Sequence, residues 1–314
     1  MTAPTGVLLM TFGSAQTADE VPAYLRSVRG GGDPDPAVVA EFQRRYELVG
    51  WSPLVRITLE QGEALQRALD ESHGPGRFAV AVGMLHSDPR IDEAVRSLAR
   101  AGAGRLIGIV LSPQYSPIIM GGYDRALAAA AGRELPGVEI RVAGPWHTAP
   151  SFVDELAGRV RQALERFPEP DRVPIIFTAH SLPRAVVDRD LDYIDQLVET
   201  IELVAARAGL APERWQFAYQ SAGHTPEEWL KPDLKDLLPG LRDAGHEDVL
   251  VVPVQFLADH LEILYDIDVA AREEAEEAGL RFHRIDLPNT SPVFIRALAE
   301  VVEREEGAVS ASTT

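Results

Sequence analysis

Residues 249–254 read Val-Leu-Val-Val-Pro-Val and residues 173–178 read Val-Pro-Ile-Ile-Phe-Thr, so each segment is almost entirely apolar. A strand with one face in water alternates apolar and polar residues, whereas a continuous apolar run is typical of a parallel strand covered on both faces. Further candidate strands lie at residues 7–12, 78–84, 106–111, 138–142 and 216–219. The sequence therefore predicts buried, parallel strands in both halves of the chain.

Amphipathic stretches separate these strands. They predict helices at residues 37–48, 59–71, 88–101, 152–167, 191–208, 232–244, 260–278 and 292–305. Alternating strands and helices indicate a doubly wound α/β fold. We expect two Rossmann-like domains with parallel four-stranded sheets flanked by helices, at residues 1–148 and 149–290, and a ligand cleft between them. A helix over residues 291–306 is expected to pack on the first domain, and residues 307–314 to form a flexible tail.

The composition excludes several classes of protein. The chain has 30 Lys and Arg against 48 Asp and Glu, a net charge of −18, which disfavours nucleic-acid binding and a polybasic membrane anchor. It has no cysteine, so disulfides and cysteine-ligated iron–sulfur clusters are excluded. No apolar run approaches the ~20 residues of a membrane span, and no basic signal-peptide region begins the chain. A cytoplasmic protein is expected.

One candidate site follows the strand at residues 173–178. There the sequence Ala-His-Ser-Leu-Pro places His180 at the carboxyl end of the strand, where open parallel sheets bind their ligands. An imidazole at this point can accept a proton near neutral pH or bind a metal. The alternative is a histidine that only hydrogen-bonds a neighbouring loop.

A second candidate site follows the strand at residues 249–254. Asp259, Glu262 and Asp266 are three and four residues apart, which on a helix forms one acidic stripe, while Asp268 points away from it. Such a row of carboxylates attracts a hydrated cation. The alternative, strongest for Asp259, is ordinary helix capping. Burial and the neighbouring Asp266 are expected to raise the pKa of Glu262.

Two segments rich in aromatic and apolar residues could hold a flat ligand. One is residues 219–232, which include Trp229, although this side chain could equally fill the core. The other follows the strand at residues 106–111 and contains Tyr115, Tyr123 and the apolar run 118–120. A large planar ligand needs such surfaces on both of its faces.

Together these segments resemble the ferrochelatase family over the whole chain. The matching motifs are AHSLP, YQSAGHTPEEWLKPD and VPVQFLADHLEILYDID, with GVLLMTFG, RYELVGWSPL and SPQYSPIIMGGY in the first half. The resemblance implies a chelatase-like fold and the insertion of Fe²⁺, a substrate, into a porphyrin, without a prosthetic group. His180 and Glu262 would form the catalytic and metal-binding pair, and Asp266 would extend the metal path towards solvent.

The resemblance also implies which residues meet the substrate. The porphyrin contacts would be Phe12, Arg29, Tyr115, Ile119, Tyr123, Ser181 and Trp229, with Arg45 and Asp259 as further candidates for a propionate or an outer metal site. The chain is most similar to the soluble Gram-positive type that metallates coproporphyrin III. That branch typically has a tyrosine, able to reach the metal from the face opposite His180, where this chain has Phe12. This chain also has Ala270 at a position where relatives often continue the acidic row.

Two other functions remain open at this point. A sirohydrochlorin-type cobalt or iron chelatase usually has paired histidines at the metal, and the His–Glu pattern disfavours it. A non-catalytic porphyrin or haem carrier would need neither His180 nor Glu262 as a base. The expected partners are the porphyrin and ferrous iron. We expect a monomer that could make transient contacts with neighbouring enzymes of the haem pathway.

Overall fold

The computed structural model describes residues 3–190, 192–223 and 226–312, with side chains as far as residue 308. The chain divides into two compact units. One comprises the residues up to Ser151 together with those from Asn289 onward, and the other is Phe152–Pro288. Each unit contains a four-stranded sheet in which every neighbouring pair is parallel. The predicted α/β class with two four-stranded parallel sheets is confirmed.

The first unit has the strand order β2-β1-β3-β4. Its strands are β1 Thr5–Thr11, β2 Phe78–Met84, β3 Arg105–Val110 and β4 Glu139–Val142. Its helices are α1 Val21–Val28, α2 Pro36–Leu48, α3 Leu54–His73, α4 Ile91–Arg100, α5 Pro117–Glu134 and the last helix of the chain, α11 Pro292–Ser312; α6 Pro150–Leu164 begins at its boundary. A 3-10 helix, Ala18–Glu20, precedes α1.

The second unit has the strand order β6-β5-β7-β8. Its strands are β5 Ile175–His180, β6 Trp215–Gln220, β7 Asp248–Pro253 and β8 Arg281–Arg284. Its helices are α7 Arg184–Val187, α8 Asp192–Ala208, α9 Leu234–Asp243, a π-helix over Glu262–Ala271 and α10 Arg272–Glu277. Two 3-10 helices, Pro170–Arg172 and Pro212–Arg214, precede β5 and β6.

The apolar runs that predicted the strands form the centres of both cores. In β7, Val249, Leu250, Val251 and Val252 have no solvent exposure, because helices cover both faces of the sheet. Burial of one such side chain contributes about 1.5–3 kcal/mol to the free energy of unfolding. These central strands fix the carboxyl edge of each sheet, where the candidate residues lie.

Several elements differ from the prediction. Strand β8 was not predicted because its sequence, Arg-Phe-His-Arg, has one large apolar residue and lies at the edge of the sheet. Helix α5 was also missed, although Ser116 caps it and Pro117 occupies its first turn. The last helix continues to Ser312, past the predicted boundary at residue 306, since no proline stops it and one glycine costs only about 1 kcal/mol.

Candidate active site

His180 is the last residue of β5, and its backbone is held from both sides. Its N–H donates a hydrogen bond of 3.0 Å to Oε1 of Gln255, in the segment that follows β7. Gln255 in turn donates through Nε2 to the hydroxyl of Tyr193 on α8. Tyr193 is buried, and burial raises the pKa of its hydroxyl above the ordinary range. The position of His180 is therefore fixed by a neighbouring strand and a covering helix.

The ring of His180 faces Glu262. Nδ1 lies against the carbonyl oxygen of Ser181, which can only accept, so Nδ1 carries the proton and Nε2 is the nitrogen available for chemistry. Nε2 lies 3.6 Å from Oε2 of Glu262, the first residue of the π-helix. The two side chains are 27% and 43% exposed, so a ligand can reach both. The structure thus brings together the two residues that the sequence singled out.

A second imidazole, not assigned from the sequence, approaches the same carboxylate. Nε2 of His260 lies 3.7 Å from Oε2 of Glu262, and its Nδ1 donates to the carbonyl of Ala258 at 2.9 Å. The ring also packs against Phe256, with the centroids 4.7 Å apart. Residues two apart on a helix do not face each other, so a helix starting at residue 260 would have excluded this contact. The contact forms because His260 precedes the helix.

The two imidazoles determine the charge of Glu262. Burial by itself raises the pKa of this carboxyl group. The lowering by His180 and His260 is larger, so the pKa falls from 4.5 to about 2. The expectation of a raised pKa was wrong because it counted burial and the neighbouring Asp266 but not the attraction of His180 and His260. The pKa of His260 is raised, since the attraction of Glu262 outweighs the effect of burial. At neutral pH Glu262 is a carboxylate between two imidazole rings.

The segment that begins with Glu262 is a π-helix, in which hydrogen bonds join residues i and i+5. Its buried residues Ile263, Ile267 and Ala271 are spaced by four and anchor it to the core. Asp266, expected to extend the metal path, follows Glu262 by the same spacing and is half-buried. Within the part of the chain that the structure describes, no three His, Asp or Glu side chains are gathered as a metal site. The ligand role of Asp266 stays a prediction.

Asp259 lies before this helix and is bound by an arginine. Arg284, at the end of β8, donates to Asp259 at 3.0 Å and to both carboxylate oxygens of Asp268 at 2.7 and 2.8 Å. The Arg284 side chain is 13% exposed. The expected acidic stripe therefore does not include Asp259, because the helix begins too late. Its carboxylate, with that of Asp268, ties the π-helix segment to the edge of the sheet.

The loop carrying Trp229 is joined to the segment that follows His180. Ser181 is fully buried, and its hydroxyl donates to the carbonyl of Leu230 at 3.1 Å. The Trp229 ring packs on Gly223, where an added Cβ would lie 2.4 Å from it. Ser181 therefore holds the loop in place, and Trp229 is half-buried beside Gly223. Their predicted porphyrin contacts stay predictions.

Two further polar residues, the last of β6 and the one after it, lie next to His180. Gln220 pairs with His180 in register and is 2% exposed. Its Oε1 accepts from Thr178 at 2.6 Å, while its Nε2 has no partner among the described residues. Ser221 adopts a left-handed backbone with φ 58°, and its hydroxyl is buried, also without a partner in the described ranges. Such groups cost about 1–3 kcal/mol each unless a ligand or water meets them.

At the carboxyl edge of the first sheet, an aromatic cluster surrounds Phe12. This residue directly follows β1 and is 41% exposed. Its ring centroid lies 4.4 Å from that of His86 and 6.5 Å from that of Tyr24. His86, which follows β2, was not singled out from the sequence, because a single histidine without a motif carries no signal. The cluster presents an aromatic surface where ligands of such sheets bind.

The remaining predicted contacts of the first unit lie in different surroundings. Tyr123 is 7% exposed within the core, and burial raises the pKa of its hydroxyl. Tyr115 is half-buried, and its hydroxyl donates to Asp124 at 2.8 Å. Ile119 is half-buried and Arg29 is exposed at the end of α1. Arg45 pairs with Glu41 at 2.8 Å on the same helix. The low exposure of Tyr123 disfavours its predicted contact with a porphyrin, and the contacts of the other residues stay predictions.

Comparison with known proteins agrees with this arrangement. The Ferrochelatase family profile matches residues 4–306. A ferrochelatase of Deinococcus radiodurans is 39% identical over 310 residues, which cover 98% of each protein. A coproporphyrin III ferrochelatase of Geobacillus kaustophilus is 37% identical over 309 residues, covering 96% of this chain and 97% of that protein.

A solved structure extends the comparison to the fold. SirB from Bacillus subtilis with Fe³⁺ has a TM-score of 0.60 at 11% identity and covers 97% of this chain and 98% of its own, which shows a shared fold. None of the helices in the described ranges is long and apolar enough to span a bilayer. Since the family profile covers nearly the whole sequence and relatives of similar length share more than a third of its residues, the chain belongs to the ferrochelatase family and is a metal chelatase.

Proposed function

We propose that this enzyme inserts Fe²⁺ into coproporphyrin III and releases the two pyrrole protons. The observation that carries the proposal is the approach of His180 Nε2 to Glu262 Oε2 at 3.6 Å, with both side chains accessible. Curated relatives at 32–37% identity are named coproporphyrin III ferrochelatase, which supports this substrate. Others at 39% are named ferrochelatase, and an assay that offers both porphyrins distinguishes the two substrates.

The charges assign different tasks to the pair. Glu262, whose pKa falls to about 2 when both imidazoles are protonated, is a weak proton acceptor at neutral pH. Its negative charge instead attracts the cation and helps remove its water. The Nε2 atom of His180 lies 3.6 Å from this carboxylate. When the ring is neutral, this nitrogen offers a lone pair that can accept a pyrrole proton. We assign cation attraction to Glu262 and proton acceptance to His180.

The reaction is balanced without a further reactant. The porphyrin supplies four ring nitrogens, of which two lose a proton, and the Fe²⁺ charge replaces the two protons. A neutral imidazole beside a carboxylate provides both a base and a charge for the metal. No redox step or prosthetic group is needed, and the cysteine-free sequence could not ligate an iron–sulfur cluster through thiolates.

The test is an anaerobic insertion assay with purified full-length protein. Fe²⁺ is offered with coproporphyrin III or protoporphyrin IX, and the metalloporphyrin is followed by absorbance. We expect faster turnover of coproporphyrin III and loss of turnover in His180→Ala and Glu262→Ala. Glu276→Gln, on the exposed side of α10, is the matched control and should keep full activity.

Three outcomes would contradict the proposal. Full activity of His180→Ala would remove it from catalysis, and equal or reversed porphyrin preference would refute the substrate. Porphyrin binding with no insertion by the wild-type protein would instead indicate a carrier. Sirohydrochlorin serves as the third substrate, although the likeness to SirB concerns the fold alone. A cytoplasmic, monomeric enzyme remains our prediction, and gel filtration tests the oligomeric state.

A further inference from the structure

A histidine and a phenylalanine meet at the carboxyl edge of the first sheet. Phe12 follows β1 and His86 follows β2, and these two strands are neighbours. The backbone N–H of His86 donates to the carbonyl of Phe12 at 2.9 Å, which extends the pairing beyond the strands. Their rings are 4.4 Å apart and inclined by 59°. The sheet itself therefore holds an imidazole beside the exposed Phe12 ring.

The His86 ring is oriented by a single hydrogen bond. Nδ1 lies 3.0 Å from the hydroxyl of Ser27 on α1, and this is the one hydrogen bond that the ring makes among the described residues. A hydroxyl can accept as well as donate, so Ser27 can stabilise the tautomer with a proton on Nδ1. Histidines that bind metals typically hold their second ring nitrogen in this way. Nε2 then carries a lone pair and makes no hydrogen bond to the part of the chain that the structure describes.

The surroundings favour a neutral ring. Partial burial and, to a lesser degree, the positive charge of Arg90 lower the pKa of His86. A neutral imidazole can bind a metal, whereas an imidazolium cannot. Phe12 is 41% exposed, so its ring is accessible to a ligand. The pair therefore combines an accessible aromatic ring with a nitrogen donor.

We propose that His86 binds through Nε2 to the metal of the metalloporphyrin product at the carboxyl edge of the first sheet, with Phe12 against the macrocycle. The proposal rests on the proposed function in taking a porphyrin as the ligand. Imidazole nitrogen is a common axial ligand of porphyrin iron, and an aromatic ring packs well on a flat macrocycle. His86 would supply a metal-binding nitrogen next to Phe12, whose side chain has no metal-binding atom.

The test uses a porphyrin that already contains iron, so that it does not depend on insertion. Ferric coproporphyrin III is added to His180→Ala protein, which lacks the other candidate histidine, and to His180→Ala with His86→Ala. Absorbance gives the affinity, and pulsed EPR on protein labelled with ¹⁵N-histidine detects a bound imidazole. We expect the labelled nitrogen in the single variant and its loss in the double variant, with at least tenfold weaker binding. Added imidazole should restore the spectrum.

His180→Ala with His73→Ala is the matched control. His73 is a histidine of the same unit whose Nε2 lies 2.9 Å from Glu303, and its removal should leave the spectrum unchanged. A labelled nitrogen that persists in the double variant with His86→Ala, or equal affinity in the two proteins, overturns the proposal.

Phe12→Tyr keeps the proposal testable if His86→Ala does not fold. It places a phenol oxygen beside His86, and a tyrosinate–iron charge-transfer band replacing the nitrogen signal would support a metal at this point. An unchanged spectrum would contradict it. The two proposals fail separately. Insertion activity without the His86 signal defeats the present inference, whereas the signal without insertion activity defeats the proposed function and leaves His86 as a ligand.

Discussion

Glu262 carries the negative charge of the candidate active site, between the Nε2 atoms of His180 and His260. Glu262 and His180 were both placed after strand ends, and the family resemblance implied their pairing with each other; the side chains lie 3.6 Å apart. His260 was missed as a partner, since its contact depends on a helix that begins after it. The pKa of Glu262 was predicted in the wrong direction because the attraction of His180 and His260 outweighs the effect of burial. Polar contacts of this kind depend on local backbone geometry, which residue spacing does not specify.

The lowered pKa of Glu262 predicts a pH dependence of stability. A carboxyl group with a folded-state pKa of about 2 and an ordinary value of 4.5 stabilises the fold above pH 4.5, and this contribution is lost as the pH falls towards 2. The difference in free energy of unfolding between wild type and Glu262→Gln should therefore shrink from pH 4.5 to pH 2. Urea denaturation across this range measures it. A difference that grows on acidification would contradict the assignment.

His260 should affect the reaction through Glu262. In His260→Ala the carboxylate keeps one imidazole instead of two, so its orientation and charge are less well held. We expect turnover to fall about 10- to 100-fold, as for other residues that support a ligand. Steady-state kinetics with Fe²⁺ measure the effect. His283→Ala, a histidine bound to Asp248 in the same unit, is the control and should retain the wild-type rate.

Among the elements, the π-helix and β8 were the least predictable. Apolar residues spaced by four fit an α-helix as well as a π-helix, so the pattern of Ile263, Ile267 and Ala271 could not distinguish them. Strand β8 has a short, mostly charged sequence whose role appears only when Arg284 reaches Asp259 and Asp268. The buried strands and most long helices, by contrast, follow from apolar periodicity.

Removal of the Arg284 guanidinium tests the link between these two elements. Arg284→Met leaves two partly buried carboxylates without their partner, so we expect the free energy of unfolding to fall by about 2 kcal/mol or more. Arg281→Met is a matched change on the same strand. Arg281 is exposed, so its surface ion pairs should contribute little to the free energy of unfolding. Equal losses in both variants, measured by denaturant titration, would argue against the link.

The loop that carries Trp229 depends on the absence of a side chain at Gly223. In Gly223→Ala the new Cβ would meet the indole ring at 2.4 Å, and the ring must move. We expect a loss of about 1–3 kcal/mol and weaker porphyrin binding. Gly240→Ala, on α9, meets no atom within 4 Å and should instead be neutral or stabilising by up to about 1 kcal/mol. Thermal unfolding of both variants compares them.

At the scale of the whole molecule, the acidic composition predicts opposite salt effects for the two substrates. A net charge of −18 attracts Fe²⁺ and repels a porphyrin that carries carboxylates. Salt at about 0.1 M screens charges beyond about 10 Å. Raising the ionic strength from low values should therefore increase the KM for Fe²⁺ and decrease the KM for coproporphyrin III. A shift of both constants in the same direction would contradict this explanation.

The fold class was predictable at this scale because parallel sheets covered on both faces leave an unusual pattern, the continuous apolar run. All seven candidate runs overlap strands of the structure, four in the first sheet and three in the second, which was enough to indicate two parallel sheets. The edge strand β8 and the helices without a clear periodic pattern were not predictable in this way. Central elements are specified by burial, and peripheral ones by particular contacts.

The place of α11 has a consequence for biosynthesis. This helix belongs to the first unit, where Phe294 and Leu298 are fully buried and Glu306 bonds Thr5 and Arg105. A ribosome therefore delivers every residue of the second unit before it delivers the helix that closes the first. At usual elongation speeds the first unit waits about 10–30 s with part of its apolar surface uncovered. Nascent chains of this enzyme should accordingly be clients of chaperones until the last helix emerges.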